Sequence, residues 1–139
     1  MSWSNAYVGI PYADLGRSVY GCDCWGLARL VYGAELGIAL PDYTDGYASA
    51  EEQADVASLI GQETSTSIWS RAEEHAAFDL LLFRHGRHES HVGIYIEPGV
   101  MLHMATDDQS KHERFEKGRW KARLVGGFRH SNMRSKGAS

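Results

Sequence analysis

The stretch YGCDCWGLARLVYG, residues 20–33, places two cysteines at the start of an amphipathic helix. Asp23 is a residue type preferred at a helix N-cap, and Gly37 is a typical helix stop. Between them the apolar residues recur at helical spacing: Trp25, Leu27, Ala28, Leu30, Val31 and Leu36. Cys24 is therefore predicted to lie in the first helical turn, where backbone N–H groups and the helix dipole favour a thiolate.

The two cysteines are predicted to be reduced thiols with different roles. A single residue between Cys22 and Cys24 closes too small a ring for good disulfide geometry, and two cysteines do not form the framework of a small secreted domain. A cysteine in an apolar stretch is ordinarily a buried small hydrophobe, and we assign Cys22 that role. Cys24 is the candidate nucleophile because it lies at the helix N-terminus.

The length and composition fit one globular domain. The chain has 139 residues, of which 43% are hydrophobic and 23% charged. We predict a single domain over residues 1–130 and a flexible basic tail over residues 131–139. The first residues lack the basic and apolar regions of a signal peptide, and no apolar run approaches the ~18 residues that span a bilayer. These features predict synthesis in the cytoplasm without a signal peptide and no membrane span.

Charge is distributed unevenly along the chain. Residues 111–139 contain nine Lys and Arg against two acids, whereas residues 1–110 contain five against sixteen. Basic segments that bind nucleic acid usually carry interleaved aromatic residues or a known reader motif, and neither is present here. The basic end is therefore interpreted as a solvated surface or a docking tail, and no nucleic-acid partner is predicted.

Beyond residue 65 the pattern changes from helices to short strands. The apolar, β-prone runs are SIWSRAEE, AFDLLLFRH, HVGIYIE, VMLHMA and RLVGGFRH. Pro98 and Gly99 are predicted as the central residues of a hairpin turn between the third and fourth runs. A second helix is predicted to begin at Ser49 as its N-cap. Consecutive strands with tight connections favour an α+β fold, in which helices pack on one face of an antiparallel sheet.

Two histidines are candidates for the partners of a cysteine nucleophile. His91 opens the run HVGIYI and His103 lies in MLHM, twelve residues later across the predicted hairpin. They are expected to be cross-strand neighbours with both rings on the Cys24 side of the sheet. A single strand histidine is more often a structural residue, but a pair suits a general base and the group that orients it.

A metal site is the alternative use of the same residue types. His85, His88 and His91 recur at three-residue spacing in RHGRHESH, and Cys22 with Cys24 could add thiolates. The spacing of the cysteines differs from the CxxC of structural zinc sites. We therefore predict no metal and no cofactor.

Taken in order, three segments of the chain resemble one known family. They are IPYADLGRSVYGCDCWGL, SHVGIYIEPG and MLHM, within residues 9–105. This combination is similar to the NlpC-type cysteine peptidases, papain-like enzymes that cleave bacterial cell-wall peptides. The resemblance implies an α+β, papain-like NlpC-type fold with the nucleophile at the N-terminus of a helix packed on an antiparallel sheet. It also implies a cysteine peptidase that hydrolyses peptidoglycan stem peptides, with the bond after γ-D-glutamate as first choice.

The resemblance also implies roles for individual residues. It makes Cys24 the nucleophile, His91 the general base and acid, and His103 the group that orients the His91 imidazole. Tyr12 matches a tyrosine at the catalytic site, where its hydroxyl contacts substrate or the oxyanion. Asp23 matches an acid that contacts substrate, although capping the helix explains it equally well. Trp25 stands beside the nucleophile where many members have serine, so contacts with substrate differ there.

The segment DCWGL resembles the subgroup encoded with bacteriophage tail genes. Peptidoglycan lies outside the bacterial cytoplasmic membrane, so a chain without an export signal needs a carrier. The resemblance therefore implies a cell-wall hydrolase at a phage-like virion tail tip, with tail-tip or baseplate proteins as partners, acting during genome entry. The alternatives are a cytoplasmic amidase or acyltransferase of the same fold, and a structural tail component whose catalytic pocket is a relic.

Overall fold

The computed structural model describes residues 2–43, 53–105 and 108–132. The helices are α1 (Ser2–Asn5), α2 (Cys24–Val31), α3 (Gln53–Thr64) and α4 (Gly118–Arg123), and a π-helical turn (Tyr32–Leu36) extends α2. The strands are β1 (Arg17–Ser18), β2 (Gly21–Cys22), β3 (Trp69–Ala72), β4 (Leu80–His85), β5 (His88–Glu97), β6 (Val100–Met104), β7 (Ser110–Arg114) and β8 (Leu124–His130). The predicted α+β class is confirmed.

A six-stranded antiparallel sheet forms the centre of the fold. Its strand order is β3-β8-β4-β5-β6-β7, and β1 with β2 forms a separate short hairpin. Strands β5 and β6 are joined by the predicted turn, because Glu97 pairs with Val100 across Pro98 and Gly99. Gly99 has a φ of +78°, a conformation that glycine adopts without steric cost. The turn prediction is confirmed.

The two faces of the sheet carry separate apolar clusters. On one face Val92, Ile94 and Ile96 of β5 belong to the same cluster as the buried side chains of α2 and α3. On the other face Phe83 and Trp120 pack together with Leu81, Tyr95, Met101 and Phe115. The expectation that helices pack on one face is right for α2 and α3. It is wrong for α4, because Trp120 of this helix packs on the opposite face.

The N-terminus of α2 is fixed to the hairpin that precedes it. Asp23 is the N-cap, as predicted, and its carboxylate accepts a hydrogen bond of 2.8 Å from the Gly26 N–H. A Cβ on Gly26 would lie 2.1 Å from the carbonyl oxygen of Gly16, so only glycine allows this close approach. The helical segment ends at Gly37, whose φ is +66°. Cys24 is the first residue of the helix.

Several elements were not predicted from the sequence. These are α1, the β1–β2 hairpin, β7 and α4, of which β7 and α4 lie in the charged region that was interpreted as a solvated surface or docking tail. The predicted N-cap Ser49 and residues 133–139 of the predicted tail lie outside the described residues, and the domain limits stay a prediction. None of the described helices is long and apolar enough to span a membrane.

Candidate active site

The thiol of Cys24 lies against the backbone of β5, next to His91. Its Sγ donates a hydrogen bond of 3.9 Å to the carbonyl oxygen of Ser90. The backbone N–H of Val92 also contributes a hydrogen bond that favours the thiolate. Pairing of β5 with β6 ends at Gly93 and His103, and the N-terminus of α2 contacts β5 beyond that point, at Ser90 and Val92. The nucleophile candidate thus contacts the residues on both sides of His91.

His91 and His103 form a buried pair, as their spacing predicted. His91 Nε2 lies 2.9 Å from His103 Nδ1, and the ring planes are nearly perpendicular, at 85°. His103 pairs directly with Gly93, so the two histidines are diagonal neighbours that meet over a residue without a side chain. Both rings lie on the face opposite the body of α2, with Phe83 and Trp120. The prediction that they face the Cys24 side of the sheet is wrong.

Glu113 is a third member of this network that sequence reasoning missed. Its Oε1 lies 2.7 Å from Nε2 of His103. The carboxylate reaches this position because Glu113 pairs with Met101 on β6, which places it on the same face as His103. In the structure the segment SKHER alternates between more and less exposed side chains, but its sequence is polar throughout and gives little strand signal. Without knowledge of β7, nothing related that segment to the histidines.

The carboxylate sets the direction of the hydrogen bonds. Burial acts to raise the pKa of Glu113, but the hydrogen bond from His103 outweighs it, with smaller contributions from the nearby Trp120 and Arg119, and the pKa lies below its usual range. An ionised Glu113 can only accept, so Nε2 of neutral His103 donates and its Nδ1 accepts. Nε2 of His91 therefore donates to His103. The network leaves Nδ1 of His91 as its acceptor nitrogen, a tautomer assigned from these partners.

Both histidines are neutral in the resting structure. Burial, followed by the nearby His103, His85 and Arg123, holds the pKa of His91 well below 6.5. Burial also lowers the pKa of His103, although Glu113 opposes that shift. Trp120 supplies much of the cover, since its ring lies 5.2 Å from the His91 ring and 4.9 Å from the His103 ring, measured between centroids. The His91–His103 pair is therefore an uncharged base in the resting structure.

The thiol of Cys24 is also uncharged at rest. Burial and the neighbouring Asp23 carboxylate raise the pKa of Cys24 to about 12, although the backbone N–H of Val92 acts in the opposite direction. Burial therefore opposes the thiolate that the N-terminus of this eight-residue helix was expected to favour. Cys22 is fully buried, in agreement with its predicted structural role.

Asp23 and Trp25 are held by the protein itself. The Asp23 side chain is 2% exposed, and its Oδ1 accepts from the Gly26 N–H and from Arg17, both at 2.8 Å. Trp25 is also 2% exposed, and its indole N–H donates to the carbonyl of Pro41 at 2.6 Å. These positions support the capping role of Asp23. They do not support a substrate contact by either side chain.

Tyr12 lies close to Cys24. Its backbone forms a parallel bridge with Cys22, and its hydroxyl donates to the carboxylate of Asp14. Burial and Asp14 raise the pKa of Tyr12, with a smaller effect from Cys24. The tyrosine is therefore within electrostatic reach of the thiol. Its contact with substrate or an oxyanion stays a prediction.

The three histidines of RHGRHESH do not share one environment. His85 is exposed, His88 is half-buried, and His91 is buried with Nε2 on His103. Across residues 2–43, 53–105 and 108–132, no cluster of three or more His, Cys, Asp or Glu is arranged to hold a metal ion.

Residues 9–129 match the model of the NlpC/P60 family. The chain belongs to the NlpC/P60 family. The match is to the whole family and not to the narrower phage-tail subgroup that the segment DCWGL resembles.

Solved NlpC/P60 structures share the fold. The NlpC/p60 domain of the peptidoglycan hydrolase SagA is 24% identical over 81% of this chain and 84% of that domain, with a TM-score of 0.58. A protein described as similar to a lipoprotein of the NLP/P60 family, from Staphylococcus aureus, is 28% identical with a TM-score of 0.63. An NlpC/P60 family protein from Bacillus cereus is 22% identical with a TM-score of 0.68.

The match extends over most of this chain but not over most of the longer proteins. This chain is covered to 94% and 93% in the Staphylococcus and Bacillus comparisons, whereas those two chains are covered to only 39% and 38%. A search of curated proteins finds no match. The NlpC/P60 comparisons confirm the predicted papain-like NlpC-type fold, with a helix packed on an antiparallel sheet.

Proposed function

We propose that this NlpC/P60 chain is a cysteine peptidase that hydrolyses peptidoglycan stem peptides, with the bond after γ-D-glutamate as the preferred site. The observation that carries the proposal is the contact of the Cys24 thiol with the β5 backbone on either side of His91, whose buried ring is hydrogen-bonded to His103 and, through it, to Glu113. Two similar structures, SagA and the mycobacterial RipB, are described as peptidoglycan hydrolases. These descriptions support peptidoglycan as the substrate class of this chain.

Acylation begins with proton transfer from Cys24 to His91. Nδ1 of His91 takes the proton from Sγ while Sγ forms a bond to the amide carbonyl carbon of the substrate. The oxyanion that develops accepts from the backbone N–H of Cys24 and from the Tyr12 hydroxyl, which must give up its hydrogen bond to Asp14 to become this second donor. The C–N bond then breaks, and His91 returns its proton to the leaving nitrogen. The products of this half-reaction are an amine and a thioester on Cys24.

In deacylation His91 acts first as the base for water and then as the acid for Sγ of Cys24. Water gives a proton to Nδ1 of His91 as its oxygen bonds to the thioester carbon, and a second oxyanion occupies the same donors. The C–S bond breaks, the carboxylic acid leaves, and the proton on His91 returns to Sγ. Each half-reaction therefore restores neutral His91. His103 and Glu113 move no proton to substrate and act as positioning residues.

The resting charges explain how this proton transfer is controlled. Burial disfavours thiolate and imidazolium separately, which raises the pKa of Cys24 and lowers that of His91. Transfer of one proton creates both charges together, so their attraction offsets the loss of hydration. Glu113 stabilises the imidazolium through His103. We infer that the ion pair forms in the presence of substrate rather than at rest.

The proposed setting is a phage-like virion tail tip. The segment DCWGL, residues 23–27, supports it through its resemblance to the subgroup encoded with tail genes. In this setting the chain is synthesised in the bacterial cytoplasm, binds tail-tip or baseplate proteins, and meets the cell wall during genome entry. The two alternatives stay a cytoplasmic amidase or acyltransferase and a structural tail component with a relic site.

Purified peptidoglycan is the substrate that tests the proposal. The chain and its Cys24→Ala variant are incubated with it, and the released fragments are identified by mass spectrometry. We expect fragments that end in γ-D-glutamate from the parent chain and none from Cys24→Ala. An intact wall with both proteins would contradict peptidoglycan hydrolysis. Presence of the chain in particles without wall cleavage would favour the structural alternative.

A further inference from the structure

A cavity of about 360 Å³ opens on the histidine side of the site. His91, His103 and Glu113 form part of its wall, whereas Cys24 and the other cysteine-side residues do not line it. In peptide hydrolysis by a Cys–His pair, the histidine protonates the leaving nitrogen. A space bounded by His91 therefore lies on the side of the leaving amine. The acyl part of the substrate lies towards Cys24.

The wall of this cavity carries an excess of positive charge. Its basic residues are Arg84, Lys111, Arg119 and Arg123, and its acidic residues are Asp108 and Glu113. Both acids already have partners inside the protein. Asp108 forms a salt bridge of 2.7 Å with Lys111, and Glu113 accepts a hydrogen bond of 2.7 Å from His103.

The three arginines of the cavity form no salt bridge within the described part of the chain. Arg119 and Arg123 lie over the ring of Trp120, with guanidinium carbons 5.3 and 5.7 Å from its centroid, and Arg84 is exposed at the end of β4. Elsewhere in the described residues, Arg17 and Arg129 hold buried carboxylates. A guanidinium presents a fork of N–H donors that fits a carboxylate. The cavity therefore has the donors for an anionic group, and both acids of its described wall already have other partners.

We propose that this cavity binds a free carboxylate on the leaving-amine side of the scissile bond. Arg84 and Arg123 are the principal donors: both line the cavity together with His91, Arg84 from the end of β4 and Arg123 from the end of α4. An amino acid released as the leaving group carries its carboxylate two bonds from the nitrogen that His91 protonates, which matches this placement. The inference rests on the proposed peptidase function and adds selectivity for leaving groups with a free carboxylate over amidated ones.

A matched pair of peptides tests the selectivity. The pair is L-Ala-γ-D-Glu-L-Ala and the same peptide with a C-terminal amide, at low salt. We expect the parent chain to favour the free acid in kcat/KM by about tenfold, the size of one charge-assisted hydrogen bond. In Arg84→Gln/Arg123→Gln the ratio should approach one. Lys121→Gln removes a cation from the same helix but not from the cavity wall, and it should retain the parental ratio.

Binding to Cys24→Ala separates this inference from the proposed function. The probes are L-Ala-L-Ala and L-Ala-L-alaninamide, and the readout is the indole N–H resonance of Trp120 in NMR titrations. We expect the free acid to shift this resonance and Arg84→Gln to weaken the effect about tenfold. Arg84 is the residue replaced because Arg119 and Arg123 lie over the Trp120 ring, where their replacement would itself change the resonance.

The two experiments have distinct outcomes. If neither peptide is cleaved but only the free acid binds, the proposed bond is wrong and the carboxylate site stands. If the parent chain cleaves or binds acid and amide equally, the carboxylate site is overturned. An acid preference that Arg84→Gln/Arg123→Gln retains would also overturn the assignment of these two arginines.

Discussion

The cysteine side and the histidine side of the site are built in opposite ways. Around Cys24 the protein satisfies its own polar groups: Asp23 holds Arg17 and caps the helix, and Trp25 donates to a backbone carbonyl. Around His91 the cavity wall carries arginines that form no salt bridge among the described residues. The first arrangement fixes the position of a nucleophile, and the second leaves charge available to a ligand.

Burial also acts differently on the two sides. It keeps the proton on Cys24 by raising the pKa of the thiol, and it keeps protons off His91 and His103 by lowering theirs. On the cysteine side Asp23 adds to the effect of burial. On the histidine side Glu113 opposes it. The comparison indicates that the histidine side is the side prepared to receive a proton, and the predictions below test this from the largest effect to the smallest.

Removal of His91 should have the largest effect. His91→Ala deletes the group that moves protons in both half-reactions, so we expect peptidoglycan cleavage to fall by about 10²- to 10⁴-fold. The matched control is His88→Ala, on the same strand but half-buried at its beginning. Circular dichroism checks that both variants fold. Parental turnover in His91→Ala together with loss in His88→Ala would show that the base has been misassigned.

Removal of His103 should have a smaller effect that depends on the replacement. His103→Ala loses the acceptor for the His91 N–H, a hydrogen bond to a developing charge, and we expect turnover to fall about tenfold to hundredfold. His103→Gln keeps an acceptor and should retain more activity than His103→Ala. Equal activity of the two variants would mean that His103 does not orient His91.

Glu113→Gln extends the same test to the outer member of the network. The amide still accepts from His103 but no longer stabilises an imidazolium by charge, so the loss should be smaller than for His103→Ala. Because Glu113 raises the pKa of His103, its neutralisation should also move the acid limb of kcat to lower pH. A pH profile that does not move would leave Glu113 with a structural role only.

Thiol alkylation measures the cysteine side directly. Iodoacetamide should label Cys24 before the fully buried Cys22. Because burial places the pKa of Cys24 near 12, the thiolate fraction and the labelling rate should rise about tenfold per pH unit from pH 7 to 9. Mass spectrometry of tryptic peptides gives both rates. A plateau in this range would indicate a preformed thiolate, and faster labelling of Cys22 would reverse the assignment.

The smallest expected effect is on stability. The pKa values of His91 and His103 in the folded chain lie below their ordinary value of 6.5, so the unfolded chain binds more protons in this range. Their contribution to stability is complete above pH 6.5 and is lost as the pH falls through the folded pKa values. Urea unfolding between pH 7.5 and 5.5 should show this loss, reduced in His91→Gln and unchanged in His88→Gln. An equal slope in all three proteins would contradict buried neutral histidines.

The sequence predicted the parts of the site that follow from local pattern. A cap, an apolar period and a glycine stop identify α2, and the hairpin turn with its twelve-residue spacing brings His91 and His103 together. The face of the sheet on which the two histidine rings lie depends on how β5 packs between the two apolar clusters. The sequence around His91 and Val92 does not indicate which residue faces which cluster. The effect of burial on Cys24 could not be predicted either, because burial is a property of the whole fold, and here it raises the pKa of the thiol.

The elements that were not predicted show a second limit of prediction from sequence. Strand β7 is charged along its length, and its apolar neighbours come from β6, so its own sequence carries little strand pattern. Glu113 therefore had no visible connection to the histidines. Helix α4 has six residues, too few for a period to be recognised, yet its Trp120 covers both rings. Each was assigned to a charged surface because the contacts that order it are distant in sequence.

The separations along the chain imply an order of assembly. His91 and His103 are 12 residues apart within one hairpin, whereas Cys24 and Ser90 are 66 apart. Closing the shorter loop costs less chain entropy, so we expect the histidine hairpin to form early during folding and the thiol to dock late. Activity regained on refolding should then trail amide protection of the hairpin. A chain in which only the hairpin of His91 and His103 has formed would still lack the Cys24 thiol next to β5. Peptidase activity would therefore appear only when the fold is complete.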